Sequence, residues 1–588
     1  MNRKLDEALQ MLSAVVPAVL AGILGAAVAT AAHDDGVVRV AGAGYTGIFR
    51  ALDLLVAAPF MFVPVGTRAL RGGLASAFVT GICGVVLFDV VRSFVALVVR
   101  AALRRIGQGG KEADASLLSV IAAVASMTAL VSPAWQTEAS APGGAVVGAL
   151  VVLLALRAVL AASPSAVEAA LLLGLAASHG PLTFAVTLAA LAPSALALRS
   201  SLRPLHAAVA FAIGLSPMLL GALTIRRLPE LALHVPMLAF DRGAALSSAA
   251  FVKAEIGRPL LVLLALGAAI SLAVAQARRL AGGIVLVVVA AAVALSVGAP
   301  AGPNRFDAAI LAGIAGAYAL AAVVLALLVL GVARARVPFA TASATLIVVL
   351  ELVLPVSAID ETLTRAQGRA PGAADVWTDI AWGAAPPAAV VLVSDRDTMR
   401  RIASARTTGA MRGDLVVVPT YDVQGRQGER ALILEPKLAS LYRDLALGLP
   451  PEELSLAQLG SQRAVLATFD TAWDRALSRH FVPVGLMARF EPEPRGASDR
   501  KHALEAFEPG KELLVRFTVA RKDAELAAAT AVLLRSRAIA MAATGEHDML
   551  ARALDDLRAF APEDRVGTTL VRRHLTSKGP IDVRDLGP

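Results

Sequence analysis

The stretch LQMLSAVVPAVLAGILGAAVATAA (residues 9–32) carries no charge, and HDDGVVRV (33–40) follows it directly. An uncharged run of that length is what a helix needs to cross the roughly 30 Å hydrocarbon core of a bilayer. The basic and small residues flanking it, MNRKLDEALQ before and AVATAAHDD after, also fit a cleaved signal peptide. The run is longer than a signal core and more runs follow, so it reads as a retained first helix. Asp34 and Asp35 then stand where that helix leaves the membrane. They are either a catalytic pair or a polar stop.

Working outward, the rest of the chain has the same character. Of 588 residues, 57% are hydrophobic and 17% charged, with mean hydropathy +0.68. Soluble domains are nearer one quarter charged. The apolar residues lie in long runs, which predict about eleven spans. These are 8–32, 73–98, 117–133, 145–162, 165–178, 182–198, 205–224, 259–276, 282–298, 308–333 and 338–356. The break SHGP (178–181) separates the fifth from the sixth. The net charge is +9, but the cations sit between apolar runs and form no basic stripe with interleaved aromatics, so no nucleic-acid partner is expected.

Loop charge sets the orientation. With Arg3 and Lys4 in the cytoplasm, the loops holding Arg100, Arg104, Arg105 and Lys111, then Arg157, Arg199 and Arg203, Arg278 and Arg279, and Arg334 and Arg336, fall on the same side. The opposite side receives the nearly uncharged QTEASAPGG (136–144) and GAPAGPNRFD (298–307). This predicts a multi-pass membrane protein, with a transmembrane domain over 1–357 and an extracytoplasmic domain over 358–588. Two external loops depart from the pattern. Loop 33–71 contains IFRALDLLVAAPFMFVPV, broken by Arg50, Asp53, Pro59 and Pro64, and reads as an interface helix. Loop 225–258 carries Arg226, Arg227 and Arg242 among other charges, which suits a phosphate-bearing ligand or internal ion pairs.

After residue 357 the composition is that of a soluble domain. AAVVLVSD (388–395), a helical stretch and DLVVVP (414–419) predict strand, helix and strand of a parallel α/β unit. RAVLATFD (463–470) and HFVPVG (480–485) are further expected strands. AELAAATAVLLRSRAIAMAA (524–543) holds Arg535 and Arg537 near its centre, so it reads as a buried soluble helix and not a twelfth span. No glycine-rich nucleotide loop occurs, and the one cysteine, Cys83, rules out an internal disulfide. No cofactor or metal pattern is present. Asp89 lies in a span with Arg92 one turn away, and the two are expected to pair. Asp53 reads as the polar face of its helix, and Glu168 as a favourable charge at a helix start.

A protein of this plan suits lipid-linked substrates, whose headgroup stays at the surface while the hydrocarbon lies among helices. A transferase there needs a carboxylate to take a proton from an acceptor hydroxyl and cations to stabilise a departing polyprenyl phosphate. FVPVGTRALRGGLASA (62–77) resembles a segment of the bacterial protein O-mannosyltransferase-like family, through Pro64, Gly66, Ala69, Arg71, Leu74, Ser76 and Ala77, with Gly73 in place of an asparagine. LLLGLAASHG (171–180), with His179, and AIGLSPMLLGALTIRR (212–227) are similar to two further family segments. The resemblance implies a glycosyltransferase C fold of membrane helices with an external α/β domain. It also implies a polyprenyl-phosphate sugar donor and a protein or glycan acceptor. Asp34 or Asp35 is the candidate for that carboxylate and Arg226, Arg227 and Arg242 for those cations; the resemblance implies Asp34 as the catalytic carboxylate and adds Arg71 and His179 as substrate-binding candidates. The family's first-loop glutamate is Val37 here, and YTGIFR (45–50) stands where the family has His-Pro-Pro-Gly. Either the active site has been rebuilt or the chain is a non-catalytic scaffold of envelope assembly. A transporter is a third reading, disfavoured by the lack of an inverted repeat and the few ionisable residues within the runs.

Overall fold

The computed structural model describes residues 2–28, 49–105, 115–161, 164–201, 203–225, 255, 257–296, 307–333, 347, 353–367, 373–383, 385–394, 398–399, 401–402, 405, 411–420, 423, 426–449, 451–468, 477, 479–484, 487–521, 524–583 and 586. Asp34, Asp35, Arg226, Arg227, Arg242 and most of the expected span 338–356 lie outside them. The chain divides into two compact units, one built on helices between Asn2 and Gln367 and one within Gly368–Pro588.

Among its described residues the first unit is built of helices joined by turns, with no strand. Its helices are α1 Asn2–Val28, α2 Ala51–Ala57, α3 Arg68–Arg105, α4 Ala115–Leu130, α5 Pro133–Ser140, α6 Val146–Val159, α7 Ala166–His179, α8 Pro181–Leu191, α9 Ala195–Ser200, α10 Pro204–Ile225, α11 Gly257–Ala273, α12 Arg278–Ser296, α13 Ala308–Ala333 and α14 Val353–Gln367. Ala, Leu and Val dominate them, and their shared core runs from Phe94 on α3 through Leu153 on α6 to Leu320 on α13. Large apolar side chains also face outward, among them Met11, Val15, Val19 and Ile23 on α1 and Leu205, Val209 and Ile213 on α10. Such exposed apolar stripes are costly in water and stable against lipid.

Among the described residues, four helical stretches of this unit are long and apolar enough to cross a membrane: Lys4–Gly25, Arg68–Arg104, Pro181–Ser200 and Ala308–Ala333. Leu526–Thr544, in the second unit, passes the same test. Val146–Val159 and Ala166–His179 are shorter, 14 residues each. At 1.5 Å per residue such a helix reaches about 21 Å, short of the bilayer core.

One expected external loop is buried. Helix α4 breaks at Val131 and resumes as α5 with a bend of 65°. Trp135, Gln136 and Glu138 on α5 are all within 1% of complete burial. Because QTEAS contains one charge and small residues, it reads as a loop; instead it is a helix packed against α1 and α3. The backbone groups freed by the break are satisfied in place. Thr362 Oγ1 donates to Val131 O at 2.6 Å, and Gln136 Nε2 donates to Leu130 O at 2.7 Å and Pro17 O at 3.2 Å.

The charges within the helices pair differently from expectation. Arg92 bonds Asp6 Oδ2 at 2.6 Å and Ser119 Oγ at 2.8 Å, clipping α1, α3 and α4 together. Asp89 instead accepts from Gln10 Nε2 at 2.8 Å and faces Arg157 at 3.6 Å. A neighbouring helix offered each residue better geometry than its own helix one turn away. Glu168 does stand in the first turn of α7, whose cap is Ser165.

In the second unit, strands β1 Val390–Val393, β2 Val416–Pro419, β3 Val465–Ala467, β4 Phe481–Val484 and β5 Met487–Phe490 form one sheet in the order β2-β1-β3-β5-β4. Strands β1–β3 are parallel, while β5 runs antiparallel to β3 and β4. The Val- and Leu-rich runs of the first four are legible as strands, whereas MARF (487–490) has no such signature. Helices cover both faces, as expected of strands buried on two sides. They are α15 Ala373–Trp382, α16 Arg426–Leu434, α17 Ala439–Ala446, α18 Glu453–Gly460, α19 Ala497–Arg521, α20 Ala524–Thr544, α21 His547–Phe560 and α22 Arg565–Thr576. Val390 and Leu392 face Leu441, Leu456 and Ala542, and their neighbours Val391 and Val393 face Trp377, Leu514 and Leu534. Helix α20 is thus packed in this core despite its hydropathy, with Arg535 Nε bonded to Asp564 Oδ2 at 2.8 Å.

The turn into β1 stores strain. Ala388 has φ +53, a left-handed conformation that costs an L-residue about 1–2 kcal/mol. Its N–H donates to Asp414 at 2.8 Å, while Arg412 grips Asp414 through two bonds and Ala385 O through a third. That guanidinium holds the Asp414 carboxyl down at about 2. Ala388→Gly is expected to stabilise this unit by about 1 kcal/mol, seen as a higher unfolding temperature.

A second carboxylate makes the unit acid-sensitive. Burial pushes the Asp444 pKa up, but bonds from Ser455 Oγ at 2.8 Å and from Arg443 outweigh it, so the net displacement is downward. A lowered folded-state pKa contributes stability above the unfolded value near 3.9, lost as pH falls through the lower folded one. Denaturant midpoints measured from about pH 6 to pH 2 are expected to fall less steeply for Asp444→Asn, in the window below about pH 4.

Candidate functional site

Two of the expected site residues fall on described helices, and they behave differently. Arg71, in the first turns of α3, turns its guanidinium back onto the chain that enters the helix. It donates to Met61 O at 2.8 Å, Val65 O at 3.0 Å and Gly66 O at 3.3 Å. Gly66 has φ +52, so the turn it makes leaves carbonyls pointing at one cation. Three of the five guanidinium N–H groups go to this clamp. As placed, Arg71 shapes a turn and does not offer its fork to an anion.

His179 is the last residue of α7 and is buried, with 2% exposure. Its Nδ1 lies 3.0 Å from Thr183 Oγ1, one turn into α8, and its Nε2 lies 3.5 Å from Asp53 Oδ1. The turn histidine is therefore held by side chains, not by backbone. Asp53 was expected on a solvated polar face, yet α2 presents it inward with 3% exposure. The helix is short, begins at Arg50 in a left-handed turn, and is pinned by Arg50 N–H donating to Ser178 O at 3.2 Å. That bond brings the loop helix onto the α7–α8 break and aims Asp53 at the ring. His179 Nε2 faces the Asp53 carboxylate at ion-pair distance without closing a hydrogen bond, and the Thr183 hydroxyl is hydrogen-bonded to Nδ1. Gly148 on α6 forms the seat of the ring: a Cβ there would lie 2.5 Å from His179 Cε1.

Beside Asp53 is a cavity of about 10 Å³, the room of one water molecule, lined by Asp53, Val56, Ala57, Ser76, Gly143 and Gly144. Its far wall is tied down by Glu138, fully buried, whose Oε2 accepts from Ala145 N–H at 2.9 Å, and by Ser76 Oγ donating to Ala141 O at 2.8 Å. A carboxylate and an imidazole in an apolar body are expensive unless paired. Chemically, the pair can hold and pass one proton, the ring orientation being set by Asp53 on one side and Thr183 on the other. Among the described residues, no group of three or more His, Cys, Asp or Glu side chains gathers as a metal site.

Sequence reasoning singled out His179 but set Asp53 aside as a polar face and read Glu138 as part of an external loop. The usable signal was cost: a lone acid inside AL-D-LLVA, on a helix too short to span, must either reach water or find a partner. Compared with known protein families, characterised proteins and solved structures, the chain matches none. The likeness to the O-mannosyltransferase-like family rests on the quoted motifs alone.

Proposed function

We propose that this chain is a membrane glycosyltransferase that moves a sugar from a polyprenyl-phosphate donor to an extracytoplasmic acceptor. In this reading it sits in a bacterial inner membrane with its N-terminus in the cytoplasm and its α/β unit outside. The observation that carries it is the buried Asp53–His179 pair. An ionisable pair enclosed among apolar helices marks a functional site by default, because its burial has to be offset. In sequence Asp53 lies on the same expected loop, 33–71, as Asp34, the acid we assign to deprotonating the acceptor hydroxyl, with Asp35 beside it. Arg226, Arg227 and Arg242 are assigned to the departing phosphate.

A second reading, a non-catalytic scaffold of envelope assembly, is favoured by two observations. Arg71 is engaged on backbone carbonyls, and the cavity beside Asp53 has room for a water and no sugar. Lipids extracted from the purified protein, analysed by mass spectrometry, separate the two. The transferase reading expects a co-purified polyprenyl phosphate, and loss of sugar transfer in Asp34→Asn membranes that still contain the protein. No such lipid, with an Asp34→Asn phenotype equal to wild type, leaves the scaffold. The orientation has its own test: cysteines introduced at 34 and 400 should react with a membrane-impermeant reagent from the same side. Cys83 is buried and gives no background.

A further inference from the structure

We propose that His547 and His574, in the second unit, form a two-histidine binding site for a borderline divalent cation of the Zn²⁺, Ni²⁺ or Cu²⁺ class. His547 opens α21 and His574 lies in the last turn of α22; the two helices pack together, so the start of one meets the end of the other. Their Nδ1 atoms are 3.0 Å apart, with the rings stacked at a centroid distance of 5.1 Å. Two nitrogens bound at about 2.1 Å stand about 3.0 Å apart at the right angle of a tetragonal Cu²⁺ or Ni²⁺ site, the separation seen here. On tetrahedral Zn²⁺ they stand about 3.4 Å apart, which the rings reach by opening slightly.

The tautomer is also right. His547 Nε2 lies 3.1 Å from Gly579 O and donates its proton there, which leaves the Nδ1 lone pair facing its partner. A metal-binding histidine commonly donates its other ring N–H to a carbonyl in this way. Without a cation, two facing Nδ1 atoms at this distance hold one proton between them, so one ring must stay neutral. A divalent cation takes the place of that proton. The adjacent carboxylate does not complete the site: Glu546 is bonded to Arg500 at 2.5 Å. Both rings are only partly buried, so a hydrated ion reaches them and keeps water in its remaining positions. Imidazole selects Cu²⁺, Ni²⁺ and Zn²⁺ over Mg²⁺ and Ca²⁺. Occupancy ties α21, α22 and the segment at Gly579 together, and stabilises the folded unit by mass action.

The experiment uses the full chain purified in detergent. Titration with ZnCl₂ at about pH 7.5 is expected to raise the unfolding temperature of wild type and MgCl₂ to leave it unmoved. Cu²⁺ bound to wild type should show coupling to two imidazole nitrogens by electron paramagnetic resonance. His547→Asn and His574→Asn should each show one fewer, and the double variant should bind one equivalent less. If both single variants keep the wild-type nitrogen coupling and the double variant binds as much metal, the site is not there. Circular dichroism of each variant confirms that the unit is folded when this is read.

Discussion

Asp53→Ala is expected to destabilise the helical unit by about 3 kcal/mol, among the largest losses available from one side chain. The methyl group leaves His179 Nε2 facing an apolar wall where the carboxylate stood at 3.5 Å. Removing one partner of a buried pair costs more than the pair contributes, because the survivor keeps its desolvation penalty without compensation. His179→Ala should cost a similar amount, since it strands Asp53. The double variant Asp53→Ala, His179→Ala is then expected to lose less than the sum of the two, giving a coupling energy of about 1–3 kcal/mol in a double-mutant cycle of detergent unfolding curves. Strictly additive losses would mean the two side chains do not act on each other. Asp53→Asn preserves the volume and an acceptor oxygen for the ring, so it is expected to fold. A fall in turnover without a fall in stability in that variant favours the transferase over the scaffold.

Gly84→Val is expected to prevent α1 from docking and to cost several kcal/mol. A Cβ at Gly84 would stand 2.1 Å from Ser13 O, and contact with a backbone oxygen cannot be relieved by a rotamer change. The close approach has a local cause. Pro17 lacks the N–H that would bond Ser13 O within α1, which leaves that carbonyl facing the neighbouring helix. Small residues at such crossings let helix backbones meet in a membrane, where the hydrophobic effect supplies no drive between helices. Loss of α1 also uncouples Asp6 from Arg92 and Ser119. The expected readout is protease sensitivity and a lower unfolding temperature of the detergent-solubilised protein, with Gly84→Ala intermediate. A Gly84→Val protein as stable as wild type would refute the crossing.

Much of the fold is legible because hydropathy and strand patterning are local. The runs at 8–32, 73–98 and 308–333 fall largely on α1, α3 and α13, and VVLV and VVVP are strands β1 and β2. Where local reasoning failed, the residue in question is polar and its partner distant in sequence. Asp89 was assigned to Arg92, a neighbour on its own helix, but meets Gln10 and Arg157 from others. QTEAS looks like a loop by composition, and only packing by α1, α3 and the Thr362 bond shows that its break is enclosed.

What the sequence by itself determined is the material: apolar helices, some long enough to cross a bilayer, and short Val-rich runs between polar stretches that read as strands. What the tertiary structure alone decided is which polar groups meet. Asp53 with His179, His547 with His574, and Arg71 with three carbonyls are all invisible to periodicity. The physical reason is that burial in a helix or strand is a sum over neighbours in sequence. The partner of a buried polar group, by contrast, is chosen by how helices cross, and a few ångströms of crossing distance decide whether that group meets water, lipid or another side chain.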